Sequence, residues 1–316
     1  MRWARPLVLP AAALLLSLAV GGAAAGGMRR TTRESIVEFA TTPFPYDGEV
    51  PGQGKPFLDT VDGARRGHTS PRGGLYWQDQ TYQDRRVLIS IPAGFDPRKP
   101  AYLIVFFHGN KVILARDVVA RQRVPQQLAA SGLNAVLVAP QFASDALDSS
   151  AGRFWQPHVF AAFLDEAAGH LAALYGDPAA RARFNTMPVV LVAYSGGYMP
   201  ASAALSVGGA GDRIAGVILL DALYGEIDTF ADWIAKRHAQ SFFFSAYSKS
   251  TEAENLALAQ RLAAQALAPA HRLPDHLQSG SIAFLAAGDV VHNDFVTQAW
   301  TADPLRAVLA RLKSRP

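Results

Sequence analysis

The sequence predicts a doubly wound, mostly parallel α/β sheet with helices on both of its faces. Six short and almost wholly apolar runs recur along the chain, and such runs are typical of strands buried on both sides of a parallel sheet. Segments with helical periodicity lie between them, and this alternation of strand and helix favours parallel crossovers. The runs cover residues 102–107, 134–139, 189–193, 214–220, 242–244 and 282–286.

The helical segments between these runs have recognisable faces and ends. Apolar residues at helical spacing from Phe160 to Leu174 predict one amphipathic helix. Thr251 followed by Glu254 resembles a capping box, and Asp303 before Pro304 is a good helix start. A segment containing Tyr224, Phe230, Trp233 and Ile234 is expected to form a small helical flap over the site.

Length and composition favour one large domain with additions at its amino-terminal end. The chain has 316 residues, of which 50% are hydrophobic and 18% are charged, as in packed globular proteins. We expect a signal peptide over residues 1–25, an extended N-terminal arm over 26–76, and the α/β domain over 77–316. Glycine and proline recur through the arm, and proline in particular interrupts regular helix.

The first residues have the features of a bacterial export signal. Arg2 and Arg5 precede an apolar run over 7–20, and small residues at Ala23 and Ala25 suit cleavage after Ala25. The alternative is an uncleaved anchor, but the apolar core is short for a membrane span. The sequence therefore predicts a secreted or periplasmic protein with no stable membrane span after cleavage.

Charge and cysteine content argue against several other functions. The formal net charge is +4, and loss of Arg2 and Arg5 would leave 4 − 2 = +2, scattered without a basic block, so nucleic-acid binding is not indicated. The absence of cysteine excludes a thiol nucleophile and thiolate metal sites. His271 and His276 flank a Pro–Asp pair and do not have the spacing of a helical zinc site. We expect no metal and no cofactor.

A serine follows the apolar run 189–193 and stands among small residues. Ser195 lies between Tyr194 and Gly196, and the segment after it can form a helix. This strand–turn–helix resembles the Gly-x-Ser-x-Gly nucleophile elbow of the α/β-hydrolase superfamily, with Ala193 in place of the first glycine and Gly197 as the second. The resemblance covers roughly residue 85 to the C-terminus and implies that Ser195 is a nucleophile.

The same resemblance implies a catalytic histidine after the last strand and a catalytic acid between the serine and this histidine in the chain. His292 follows the run 282–286, so we expect it to be the base. No carboxylate follows the run 242–244 until Glu252, whereas Asp221 comes directly after the run 214–220 and is the preferred acid. Asp289 and Asp294 remain alternatives because they are close to His292 in sequence.

The resemblance also implies an oxyanion hole and suggests the walls of the site. Gly196 and Asn110 would supply backbone N–H groups, and His108, in the loop before Asn110, would be structural. Candidate substrate-binding side chains are Tyr194, Trp155 and Trp233. Arg153 could favour an anionic substrate or could pair with Asp145 or Asp148.

These observations predict an exported serine hydrolase that cleaves an ester-like or amide-like bond through an acyl-enzyme. The substrate would be a small molecule or derive from the cell envelope. An acyltransferase using the same site is a close variant. A non-catalytic binding or scaffold protein on the same fold is the alternative from a different class. The sequence leaves the substrate and the oligomeric state open.

Overall fold

The computed structural model describes residues 31–312, so the expected export signal and its cleavage site lie outside the described residues. Within this range, eight strands form a central sheet and five short strands form two small sheets. The strands of the central sheet are β1 (Arg33–Glu38), β7 (Arg86–Ile91), β8 (Tyr102–Phe107), β9 (Ala135–Pro140), β10 (Val189–Tyr194), β11 (Ile214–Leu220), β12 (Phe242–Tyr247) and β13 (Ile282–Ala286). The short strands are β2 (Glu49–Val50), β3 (Lys55–Pro56), β4 (Thr60–Asp62), β5 (Arg65–Thr69) and β6 (Leu75–Trp77).

The helices lie between these strands or follow them. They are α1 (Gln78–Thr81), α2 (Val124–Ala130), α3 (Val159–Tyr175), α4 (Arg181–Thr186), α5 (Tyr198–Ser206), α6 (Ile227–Arg237), α7 (Glu252–Ala264) and α8 (Pro304–Leu309). A π-helical segment, Leu114–Arg121, connects the loop after β8 to α2. None of the helices between residues 31 and 312 is long and apolar enough to cross a membrane.

The central sheet has the order β1-β7-β9-β8-β10-β11-β12-β13. Strand β7 runs antiparallel to both of its neighbours, and the pairs from β9 to β13 are all parallel. The predicted doubly wound, mostly parallel sheet is therefore confirmed. Parallel strands end at one edge, so the loops after β8, β10, β11 and β13 converge there, where open α/β sheets commonly bind ligands.

Alternate residues of each strand face two separate apolar layers. On one side, residues such as Val105 and Leu191 pack with α3, α5, α6 and α7. On the other side, residues such as Ile104 and Val192 pack with the π-helical segment, α2 and α8. Because both faces are covered, every residue of β8 to β12 is buried, which explains why these strands appear in the sequence as continuous apolar runs.

The N-terminal arm does more than lie on the domain. Strand β1 pairs with β7 and becomes the edge of the central sheet. Further along the arm, Phe44 and Phe57 are fully buried, with ring centroids 5.7 Å apart. The Phe57 ring also packs edge-on against Tyr82 at 5.0 Å and stacks on His68 at 4.1 Å. These contacts fix the arm to the domain through an aromatic cluster.

We predict that Phe57→Ala lowers the free energy of unfolding by about 3–5 kcal/mol, because it leaves a cavity inside this cluster. Chemical denaturation of the protein lacking residues 1–25 would measure the change. The matched control is Val61→Ala, since the Val61 side chain is 69% exposed and should change stability by less than about 0.5 kcal/mol. Equal effects of the two substitutions would contradict an arm held by this cluster.

Candidate active site

Ser195 stands on a sharp turn between β10 and α5. Its φ is 54°, a left-handed conformation that is uncommon for serine, and a short 3₁₀ turn over Ser195–Gly197 leads into the helix. Only small neighbours fit around it. A Cβ atom on Gly109 would lie 2.6 Å from Ser195 Cβ, and one on Gly197 would overlap the Phe107 carbonyl oxygen. The glycines after β8 and β10 therefore allow the two loops to meet at the serine.

The structure brings Ser195, His292 and Asp221 together in one chain of hydrogen bonds. His292 Nδ1 lies 2.6 Å from Asp221 Oδ2, and His292 Nε2 lies 2.8 Å from Ser195 Oγ. Because a carboxylate only accepts hydrogen bonds, Nδ1 carries the proton and donates a hydrogen bond to Asp221. The Nε2 lone pair is then free to accept the hydroxyl proton of Ser195, which is the arrangement that a general base requires.

Asp221 lies at the end of β11 with no exposed surface and a φ of 45°. Its Oδ1 accepts hydrogen bonds from the Ser248 N–H at 2.9 Å and the Thr251 hydroxyl at 2.7 Å. Its Oδ2 accepts from the Ser248 and Ser250 hydroxyls at 2.8 and 2.9 Å, in addition to His292. Burial alone would raise the Asp221 pKa, but these donors outweigh it and hold the pKa well below its usual range.

The capping box expected at Thr251 is not formed. Thr251 precedes α7, yet its side chain makes no hydrogen bond to the helix N-terminus. The hydroxyl donates instead to Asp221. The hydroxyl is directed at the buried carboxylate, and this charge-assisted hydrogen bond stabilises the acid and not the start of the helix.

Asp289 and Asp294, the alternative acids, do not contact His292. Asp289 Oδ1 pairs with Lys249 Nζ at 2.6 Å, and the Asp289 side chain is 82% exposed. Asp294 is exposed on the same 3₁₀ turn as His292, and its backbone oxygen accepts hydrogen bonds from Thr297 and Gln298. Of the three acids considered from the sequence, Asp221 is the one that reaches the imidazole.

Two tyrosines fix the position of His292. The Tyr194 ring stacks on the imidazole with centroids 5.2 Å apart, and its hydroxyl donates to the His292 backbone oxygen at 2.9 Å. Tyr224 stands edge-on to the imidazole, with its hydroxyl 2.9 Å from Ser250 Oγ and 3.2 Å from His292 Nδ1. Tyr194 was expected to contact substrate; it lines the cavity at Ser195, but its own contacts are with the histidine.

The loop after β8 is held against the serine by His108. Its Nδ1–H donates to the Gly109 oxygen at 2.7 Å, and its Nε2 accepts from the Phe142 N–H at 2.9 Å. Burial lowers the pKa of His108 to about 4, so the ring is neutral at neutral pH. Asn110 follows, and its side-chain oxygen lies beside Gly196 and accepts from Ser149 Oγ at 3.1 Å. The Asn110 side chain thus lies directly against Gly196.

A cavity of about 410 Å³ opens at Ser195. It is lined by Arg72, Asn110, Lys111, Arg121, Leu147, Tyr194, Ser195, His292 and Asn293. A neighbouring cavity of about 370 Å³ shares Arg72 with it and is walled by the arm, by Ser149 and by the start of α5. Trp155 lines this second cavity and not the first, so it stands further from Ser195 than expected.

Trp233 and Arg153 have other positions than the sequence suggested. Trp233 lies on the buried face of α6, is only 7% exposed and lines neither cavity, because α6 packs into the core instead of covering the site. Arg153 donates to the Ala40 oxygen at 2.7 Å and so helps to hold the arm. It pairs with neither expected partner: Asp145 pairs with Arg116, and Asp148 accepts from Tyr82.

Sequence reasoning missed Arg72, Lys111 and the hydroxyl groups around Asp221, and it placed Tyr224 in a flap over the site without predicting its contact with His292. The hydroxyls had a local signal, since Ser248, Ser250 and Thr251 crowd the loop after β12. Arg72 had none, because it reaches the site only through the folding of the arm. Within residues 31–312, no group of three or more histidine, aspartate and glutamate side chains is arranged to hold a metal ion.

Comparisons with known proteins give structural similarity only. No family model and no curated protein matches the sequence. Among solved structures, a feruloyl esterase module from Clostridium thermocellum is similar at 15% identity and a TM-score of 0.46, over 86% of this chain and 99% of that one. An S-formylglutathione hydrolase from Agrobacterium tumefaciens is similar at 11% identity and a TM-score of 0.43, over 80% and 98%. An IroE-like serine hydrolase from Shewanella oneidensis has 14% identity and a TM-score of 0.40, over 71% and 74%. The α/β-hydrolase-like fold is assigned from the strand order and directions described above.

The neutral, buried state of His108 predicts how stability depends on pH. Folding lowers the pKa of His108 from 6.5 to about 4, so between these pH values the unfolded chain binds a proton at His108 and the native protein does not. The neutral His108 therefore contributes to stability in a pH-dependent way. This contribution is fully present above pH ~6.5 and is lost as the pH falls towards ~4. We expect the free energy of unfolding of the wild type to fall across this interval.

His108→Leu should be less stable at neutral pH by about 1–3 kcal/mol, because it leaves buried groups without partners. Its stability should nevertheless fall less steeply between pH ~6.5 and ~4. Urea denaturation at a series of pH values would measure both effects. His276→Gln, which removes an exposed histidine, should keep the wild-type slope. A His108→Leu slope equal to that of the wild type would contradict the assignment.

Proposed function

We propose that this protein is a serine hydrolase that cleaves an ester-like or amide-like acyl bond through an acyl-enzyme. The observation that carries the proposal is the position of His292, whose two ring nitrogens lie within hydrogen-bond distance of Ser195 and Asp221. A serine hydroxyl is a weak nucleophile by itself, and an adjacent base that is oriented by a third group is what activates it.

In the first half of the proposed reaction, Ser195 Oγ attacks the acyl carbon while His292 Nε2 takes up the hydroxyl proton. The negative charge that develops on the substrate oxygen would be stabilised by the backbone N–H groups of Gly196 and Asn110. Asp221 stabilises the imidazolium formed at this stage. His292 then transfers its proton to the departing alcohol or amine, and the acyl group remains on Ser195.

In the second half, His292 Nε2 accepts a proton from water as the water oxygen attacks the acyl carbon. Collapse of the intermediate breaks the bond to Ser195 Oγ, which regains its proton from His292, and the carboxylic acid leaves. An alcohol in place of water would give acyl transfer by the same steps. We favour hydrolysis of a carboxylic ester over acyl transfer. The proposed substrate is a small molecule or derives from the cell envelope, and the protein is proposed to be exported to the periplasm or the medium.

The nucleophile is tested by covalent labelling. A fluorophosphonate probe should label the wild type, and Ser195→Ala should abolish both labelling and the cleavage of 4-nitrophenyl acetate, because no other group replaces the hydroxyl. Mass spectrometry of the labelled peptide identifies the residue, and heat-denatured wild type is the control for labelling that needs the folded site. Absence of labelling of the folded wild type would favour the binding or scaffold alternative.

Asp221→Asn should lower kcat by up to about 10⁴-fold with the fold retained, because the amide can hold the imidazole only in the tautomer that presents an N–H to Ser195. Circular dichroism and the melting temperature would establish that the variant is folded. Asp289→Asn and Asp294→Asn are matched controls, since neither side chain contacts His292, and each should keep the wild-type kcat. Comparable losses in the controls would remove the assigned role of Asp221.

A further inference from the structure

Of the residues between 31 and 312, three cationic side chains and no carboxylate line the cavity at Ser195. Arg72 comes from the N-terminal arm, Lys111 from the loop after β8, and Arg121 from the end of the π-helical segment. Asp221 is near but is fully buried beneath His292. Asp294 is exposed on the histidine turn and does not line the cavity. The side chains with a permanent charge that line this cavity are therefore all positive.

Two of these cations have no acidic partner in the part of the chain that the structure describes. The ammonium group of Lys111 and the guanidinium of Arg72 form no ion pair with any residue between 31 and 312. Arg121 differs, because its Nε donates to Asp117 Oδ1 at 3.0 Å and its side chain also contacts the Asn293 oxygen. Unpaired cations around a concave site attract anionic ligands and concentrate them there.

Arg72 is positioned by a compact turn. The Ser70 hydroxyl donates to the Leu147 oxygen at 2.6 Å and accepts from the Arg72 N–H at 3.2 Å. The turn is closed by hydrogen bonds from the Ser70 N–H to the Gly74 oxygen and from the Gly73 N–H to the Ser70 oxygen. The Arg72 guanidinium lies 5.5 Å from the centre of the Tyr224 ring, next to His292. The cation is thus held at the site by contacts that do not depend on a ligand.

The neighbouring cavity does not share this charge imbalance. It contains Lys55 and Arg72, but also Asp59 and Asp148. The lining of the cavity at Ser195 is consequently more positive than the lining of the neighbouring cavity. A substrate bound for attack by Ser195 would place its remaining groups within reach of Arg72 and Lys111.

We propose that Arg72 and Lys111 select esters that carry a negatively charged group, such as a carboxylate, on the acyl part or on the leaving group. This inference rests on the proposed serine hydrolase function and names the chemistry of its substrate. Neutral esters of the same shape can be cleaved by the same machinery but gain nothing from the two cations. The benefit is expected in substrate capture, and so in KM more than in kcat.

The test uses two pairs of esters that differ in one charge. For the leaving group, the pair is 4-acetoxybenzoate and its neutral methyl ester. For the acyl part, the pair is 4-nitrophenyl hydrogen adipate and 4-nitrophenyl methyl adipate. At low ionic strength the wild type should prefer the anionic member of at least one pair by about tenfold in kcat/KM. About 0.5 M salt should reduce that preference, because the two cations are exposed.

Arg72→Met and Lys111→Met should each lower the ratio of anionic to neutral kcat/KM, and the double variant should bring it close to one. Methionine keeps an unbranched side chain and removes the charge together with its N–H donors. The matched control is Lys99→Met, which removes an exposed cation before β8, at the opposite edge of the sheet from Ser195. This control should leave the wild-type ratio unchanged.

The outcomes separate this inference from the proposed function. Cleavage of both members of each pair at equal rates, with fluorophosphonate labelling of Ser195, would leave the hydrolase standing and overturn anion selection. A preference that survives in the double variant would overturn the assignment to Arg72 and Lys111. If the folded wild type neither reacts with the fluorophosphonate nor cleaves any of the four esters, the proposed hydrolase function is overturned, and anion selection with it.

Discussion

The hydrogen bond between the buried Asp221 carboxylate and His292 is the interaction on which the rest of the site depends. Removing a carboxylate from water costs several kcal/mol, and a single partner seldom offsets that cost. Here the donors come from the loop after β12 as well as from His292. One charge therefore ties together the ends of β11, β12 and β13. The hydrogen bond from His292 Nδ1–H to this carboxylate also holds the loop that carries the histidine in position.

The parallel sheet provides the other half of the geometry. Tyr194 and Leu220 are register partners on β10 and β11, so the residues that follow them, Ser195 and Asp221, leave the same edge of the sheet side by side. Both have a positive φ, which costs free energy for any residue other than glycine. That cost is tolerated because the backbone then turns away and leaves each side chain pointing towards His292. Strain at two adjacent strand ends is what allows one imidazole to contact both residues.

The central sheet and the three side chains of the hydrogen-bonded chain were accessible from sequence, and the walls of the site were not. Buried parallel strands produce uninterrupted apolar runs, and a nucleophile elbow has a local pattern of small residues around Ser195. Asp221 was recognisable because it ends such a run. By contrast, β1, Arg72 and the burial of Trp233 depend on contacts far apart in sequence. Arg72 reaches the site because an aromatic cluster around Phe57 fixes the arm, and no local periodicity encodes that contact.

The exposed cations Arg72 and Lys111 and the buried Asp221 carboxylate act on the same imidazole with opposite sign. Their distances from the ring and their exposure to solvent decide which interaction is stronger. Arg72 and Lys111 are exposed, so water and dissolved salt weaken their interaction with the imidazole. Asp221 is fully buried and lies 2.6 Å from His292 Nδ1, where screening is weak. The carboxylate is therefore the charge that interacts most strongly with the imidazole. The cations are left to act on groups that approach from solvent. A site built in this way can attract an anion while Asp221 still orients the imidazole.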